Sequence, residues 1–134
     1  MSLKRSEVLA FRAALVVAVI LITFLTTARI PSEVGGAVND KLSHALAFFA
    51  LALLTDFSFA DSRLGLKKVS ALFAYGTIIE LIQHQLPYRE FSLADLVANG
   101  MGIFAYWLSI PLLRRLPRLK ARWTQLRPDG KFFQ

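Results

Sequence analysis

The sequence predicts an all-α polytopic membrane protein: four transmembrane helices, both termini in the cytoplasm, and a basic amphipathic segment at the C-terminus. Three observations predict it. Apolar types make up 55% of the 134 residues and the mean hydropathy is +0.50. These residues come in runs that are apolar all round, whereas a soluble helix keeps a polar face. The lysines and arginines behind the net charge of +7 sit in the gaps between runs and at the C-terminal end. A chain of this length forms one folding unit, read here as a membrane domain over 1–113 and a cytoplasmic tail over 114–134. The absence of cysteine excludes disulfides, thiolate metal sites and cysteine nucleophiles.

The first run extends from Leu9 to Ile30 and is stopped by Pro31. Its length of about 33 Å as a helix crosses a hydrocarbon core of about 30 Å. Lys4, Arg5 and Arg12 precede or enter it, as in a signal peptide, but an apolar signal segment is only about 7–15 residues long. The second run, Leu42 to Phe59, is near the lower limit for a span, and the fourth, Leu93 to Leu113, is long enough without qualification. The third is weaker: Val69 to Ile79 is apolar, then Glu80, Gln83 and His84 interrupt.

Loop charge decides the count. Lysine and arginine are retained on the cytoplasmic side. With four spans and the N-terminus inside, that side holds Lys4, Arg5, Arg12, Arg63, Lys67, Lys68, Arg114, Arg115, Arg118, Lys120, Arg122, Arg127 and Lys131. Only Arg29, Lys41 and Arg89 remain outside. Three spans would export a basic terminus. In the tail, Leu113, Leu116, Leu119, Trp123 and Leu126 recur every three or four residues among arginines and lysines. Such a stretch lies on anionic inner-leaflet lipid, and a basic tail beside a span already has that partner, so no nucleic acid is expected despite a pI of 10.3.

The remaining polar residues fall at one depth, near the outer surface. Asn39, Asp40, Lys41 and His44 open the second helix; Glu80, Gln83, His84 and Gln85 close the third; Pro87 and Arg89 follow; Ser92, Asp95 and Asn99 open the fourth. Asp40 and His44 share a helix face. Asp95, Asn99, Gly102 and Tyr106 form one stripe, in which glycine permits close helix approach. Glu80 lies about 10 Å below Pro87 along the helix, and an intramembrane carboxylate marks a functional site by default. Lys41, His44 and Arg89 are its available partners, and a neutral, protonated Glu80 is the alternative. Simpler roles compete: Asp40 as an N-cap, Ser92 with Asp95 as a capping box, Gln83 and Asn99 as interhelical hydrogen bonds. The inner half offers only Tyr106 and Ser109 as evident polar groups, so no ionisable relay crosses the bundle.

These residues resemble a known family. Asp40-Lys41-x-x-His44, Glu80-x-x-Gln83, Pro87-x-Arg89 and Asp95-x-x-x-Asn99-x-x-Gly102, in this order and spacing, look like the VanZ-like family of small bacterial membrane proteins. Its founding member is linked to resistance against the glycopeptide teicoplanin. The resemblance covers Pro31 to Tyr106 and implies a four-helix fold in the bacterial inner membrane with a polar site near the outer face.

The expected function is binding. Asp40, Lys41, His44, Glu80, Gln83, Arg89, Asp95 and Asn99 form the candidate site, with Lys41 and Arg89 gripping a phosphate or carboxylate on a lipid-linked cell-envelope molecule. A membrane enzyme acting on a lipid-linked phosphate is one alternative, since a histidine, three carboxylates and two cations suit acid–base work. A structural or assembly role is another. No spacing matches a metal signature, although Asp40, His44, Glu80 and Asp95 are ligand types, and no cofactor is expected.

Overall fold

The computed structural model describes residues 3–28, 37–88, 90–117 and 119–124. Arg89, Arg118, Leu126 and the Gly35-Gly36 pair lie outside them. The described residues are helical and contain no strand: α1 (Arg5–Thr27), α2 (Ala37–Ser58), α3 (Leu66–His84), α4 (Leu93–Leu113) and a single turn, α5 (Ala121–Thr124). At about 1.5 Å per residue the four long helices measure roughly 29 to 35 Å.

The helices alternate in direction. The Arg12 side chain near the start of α1 donates to the Ser58 carbonyl at the end of α2. At the other end of the bundle, Gln83 of α3 reaches the Thr26 carbonyl of α1, and Lys41 of α2 reaches Ser92 at the head of α4. The first is called here the tail end, because the C-terminal segment docks there, and the second the site end.

Helices α2 and α4 form the centre, packing through Phe48, Leu51, Ala52, Ile103 and Tyr106, with Leu72 of α3 completing the cluster. Their approach is set by Gly102, where a Cβ would overlap the Ala45 carbonyl oxygen and stand 2.9 Å from the Phe49 nitrogen. Gly76 does the same for α3, since a Cβ there would stand 2.9 Å from Asn99 Nδ2 and 3.0 Å from the Phe48 ring. The expected interface stripe on α4 is therefore found: Asp95, Asn99, Gly102 and Tyr106 are all buried.

The outward surface is apolar. Helix α1 has no buried residue and presents Val16, Val17, Ile20, Leu21 and Phe24 to its surroundings; Met101, Phe104, Trp107 and Leu108 of α4 do likewise. By length and composition, three helices among the described residues (α1, α2 from Asp40, and α4) can cross a membrane. Helix α3 misses that standard because of its charges, yet Lys68, Glu80 and Gln83 are buried while Phe73, Ile78, Leu81 and Ile82 face outward.

Two local expectations need correction. Helix α2 begins at Ala37, so Asp40 lies in its first turn and is not the N-cap; an acid there still meets the positive end of the helix dipole. The basic amphipathic segment expected after Leu113 does not carry its spacing on one continuous helix. Turns follow Leu113 and, among the described residues beyond it, only Ala121–Thr124 is helical. Pro117 accounts for this: it has no N–H to donate and biases Leu116 away from helical geometry.

Candidate functional site

At the site end, three helix termini bring seven of the eight expected residues together. The first turns of α2 supply Asp40, Lys41 and His44; the last turns of α3 supply Glu80 and Gln83; the first turns of α4 supply Asp95 and Asn99. Lys41 Nζ is bonded to Asp95 Oδ1, donates to Ser92 Oγ at 3.2 Å, and stands 3.8 Å from Asp40 Oδ2. His44 is held at Nδ1, 3.0 Å from Asn99 Oδ1, and its Nε2 faces Asp95 Oδ2 at 3.7 Å, beyond hydrogen-bond reach. Gln83 Nε2 donates to the Thr26 carbonyl at 2.9 Å, tying α3 to α1. Arg89 lies outside the described residues.

The capping box at α4 is half formed. Ser92 Oγ accepts from the Asp95 N–H at 3.2 Å. The reciprocal bond is not made by Asp95, whose carboxylate is turned to Lys41 and His44. Glu80 takes that place from another helix: its Oε2 accepts the Ser92 N–H at 3.1 Å. Glu80 is fully buried, and its second oxygen, Oε1, has no hydrogen-bond partner among the described residues. A buried carboxylate oxygen without a donor carries a desolvation cost.

The charge balance differs from the expectation. Lys41 was expected to grip an anionic ligand, but Asp95 and Asp40 already surround it. Among the described residues the cluster holds three carboxylates against one lysine. Asp40, His44 and Asp95 each offer one ligand atom, and these atoms lie within 4.8 Å of one another. That grouping was hidden from linear spacing because Asp95 arrives from a different helix.

Beside the cluster is a cavity of about 320 Å³ between α1, α2 and α3. Thr26, Asp40, Ser43, His44 and Gln83 form its polar lining. Ile22, Leu25, Ala47, Phe48 and Ile79 form an apolar wall, which lies a turn deeper in the bundle and across on α1.

The tail end holds a second polar centre that the sequence pattern did not reveal. Asp56 of α2 is fully buried. Its Oδ1 accepts from Arg122 Nη2 at 2.6 Å and Lys68 Nζ at 3.3 Å, and its Oδ2 from the Tyr106 hydroxyl at 2.9 Å. Arg122 also donates to the carbonyls of Asp56, Ala60 and Ser62, and Lys68 to those of Phe59 and Ser62. Trp123 packs edge-on against Phe57 with ring centroids 5.5 Å apart. Arg122 was expected among the lipid-facing residues of the tail; instead it is fully buried in the bundle. The inner half was expected to hold only Tyr106 and Ser109, but Tyr106 is one arm of this ionic centre. The available signal was Asp56 itself, a carboxylate inside an apolar run, which by default asks for a partner.

The class shown is thus a helical protein that has, among the described residues, three helices long and apolar enough to cross a membrane. No family model matches the chain, and no solved structure matches it. Over 93 residues, 67% of this chain, it is 33% identical to the Schizosaccharomyces pombe protein described as "Uncharacterized protein C11E3.10". The match takes in 54% of that protein, so the chain spans about half the length of this relative.

Proposed function

We propose that the chain is a four-span membrane protein whose site end binds a lipid-like amphiphile, with an apolar chain against α1 and a polar head at Asp40, His44 and Gln83. The observation that carries this reading is the cavity, which joins an apolar wall to a polar cluster at the level where helices begin and end. Pockets of a few hundred Å³ with a few convergent polar groups suit small ligands. The ordered motifs that resemble the VanZ-like family contribute the same residues, which supports a common role. The bacterial-membrane expectation comes from that resemblance, and the relative is a yeast protein, so the proposal is framed for a bilayer of either origin and takes over no element of the resistance phenotype.

Four spans are supported by α3. Its Lys68 and Glu80 are buried, Lys68 against Asp56 and Glu80 on the Ser92 amide, while its outer face is apolar, which lowers the cost that isolated intramembrane charges carry. The basic residues gathered at the tail end support a cytoplasmic assignment for that end. Since the chain has no cysteine, single-cysteine labelling tests this cleanly. A maleimide that cannot cross membranes should label Glu90→Cys in intact cells and Asp61→Cys only after permeabilisation. Labelling of both from one side would overturn the third span.

The ligand reading is tested by native mass spectrometry of protein extracted in mild detergent. An amphiphile should co-purify with the wild type. Ala47→Phe, which fills the cavity, should lose it while melting at the same temperature. A wild-type protein that carries none, in detergent or after incubation with lipid vesicles, would favour the structural reading, in which the site-end bonds serve only to hold helices together.

A further inference from the structure

We infer that Asp40, His44 and Asp95 form a divalent-cation site, and that the bound ion presents a positive centre to a phosphate head group in the adjoining cavity. This deepens the amphiphile reading and rests on it for the second half. Two independent observations carry the first half. The three residues place ligand atoms within 4.8 Å of one another, the convergence a single ion needs. Separately, Glu80 of α3 stands one residue away, across Ser92, fully buried and with Oε1 lacking any donor among the described residues. Its other oxygen holds the N–H of Ser92, the residue whose hydroxyl receives Lys41, and Glu80 lies within electrostatic reach of Asp95, His44 and Lys41. A buried carboxylate oxygen without a donor, one residue removed from the Asp40 and Asp95 carboxylates, leaves an acceptor that water bound to a cation would satisfy.

The donor set is two carboxylates and one imidazole. It suits a borderline or hard ion such as Mn²⁺, Fe²⁺ or Zn²⁺, and the absence of sulfur argues against soft metals. Asp40 and His44 line the cavity and Asp95 does not, so an open coordination position on the cavity side would face the ligand. The ion also resolves the charge problem of the phosphate expectation. Lys41 is engaged by Asp95 and Asp40, leaving the described cluster with surplus negative charge; a divalent ion offsets that charge and offers a phosphate oxygen a direct coordination position.

Lys41 has a definite role in this arrangement. Its ammonium lies against the same two carboxylates and is the internal counter-ion that a metal must displace. Its side chain is 39% exposed and long enough to swing outward when the ion binds. Metal and Lys41 therefore compete, a relation that a purely structural salt bridge lacks.

The test uses the full chain in detergent, stripped with EDTA and titrated with Mn²⁺, with free ion followed by electron paramagnetic resonance and heat by calorimetry. One Mn²⁺ should bind per chain. Asp40→Asn and His44→Gln should each weaken binding by at least about tenfold, the loss that even an outer-shell partner of a metal ligand can cause. Asp40→Asn removes only a half-exposed charge and keeps the test readable if the buried histidine variant folds poorly. Lys41→Gln should tighten binding. Binding by neither the wild type nor Lys41→Gln would overturn the inference, as would binding that ignores Asp40→Asn. Lipid occupancy, measured with and without EDTA, separates the two proposals. Loss of lipid on stripping supports the ion as the head-group anchor. Lipid retained in EDTA overturns that role and leaves the amphiphile reading standing, whereas ion binding in a protein that never holds lipid overturns the amphiphile reading and leaves the ion site.

Discussion

Asp56→Ala should lose about 3–5 kcal/mol of stability, the usual cost of removing one partner from a buried ionic group. The reason lies in what stays behind. Arg122 and Lys68 would remain in the interior of the tail end with only backbone carbonyls for company, and the Tyr106 hydroxyl would lose its acceptor. Arg122→Ala should cost less than Asp56→Ala, because Lys68 and Tyr106 still satisfy the carboxylate. The double variant should be clearly less destabilised than the sum of the two, since residues that share a network do not act additively. Thermal melts in one detergent give all three values. A small, additive effect would mean that Arg122 is held mainly by the carbonyls of Asp56, Ala60 and Ser62.

Gly102→Ala is the second large effect. The added methyl group would run into the backbone of α2, at the Ala45 carbonyl and the Phe49 amide. Neither can step aside as a side chain would, so the two central helices must separate, at a cost of about 1–3 kcal/mol or more. Gly100→Ala is the matched comparison. Its methyl would approach the far edge of the Phe73 ring at 2.9 Å, and that half-exposed ring can rotate away. Gly102→Ala should lower the melting temperature by several degrees while Gly100→Ala leaves it nearly unchanged. Equal effects would mean that generic helix propensity, and not the α2–α4 approach, governs both positions.

The site end was legible in the sequence because its residues occupy helix termini. Charge placement around apolar runs puts Asp40, Glu80 and Asp95 at one level of the chain's helix ends, and helical spacing puts Asp95, Asn99 and Gly102 on one face, which is buried. Partner choice was not legible. The S-x-x-D pattern at Ser92 and Asp95 points to a local capping box, yet Glu80 from α3 takes one of its two bonds and Lys41 from α2 takes the Asp95 carboxylate. Local rules name the groups that need partners; tertiary packing decides between near and distant ones. The tail end failed for a related reason. A stretch with arginines between leucines satisfies the pattern of a lipid-facing helix, and nothing in that pattern marks Arg122 as the residue that turns inward. Pro117 breaks the helix that would have kept Arg122 on the surface, and Asp56 supplies the buried charge that draws it in.

The pairing of α3 has a consequence for how the chain is made. Its two deeply placed charges do not wait for distant partners. Lys68 bonds to Asp56, twelve residues earlier, and Glu80 to the amide of Ser92, twelve residues later. In a bilayer, a segment leaving the ribosome with a lysine near its start would meet the acid of the helix just inserted. The acid near its end would be served as soon as the following turn emerged. Under the four-span proposal, helix α3 would enter the membrane between its two sequence neighbours, handed from one to the other, and a chain ending before Ser92 should release α3 from the bilayer while α1 and α2 stay behind.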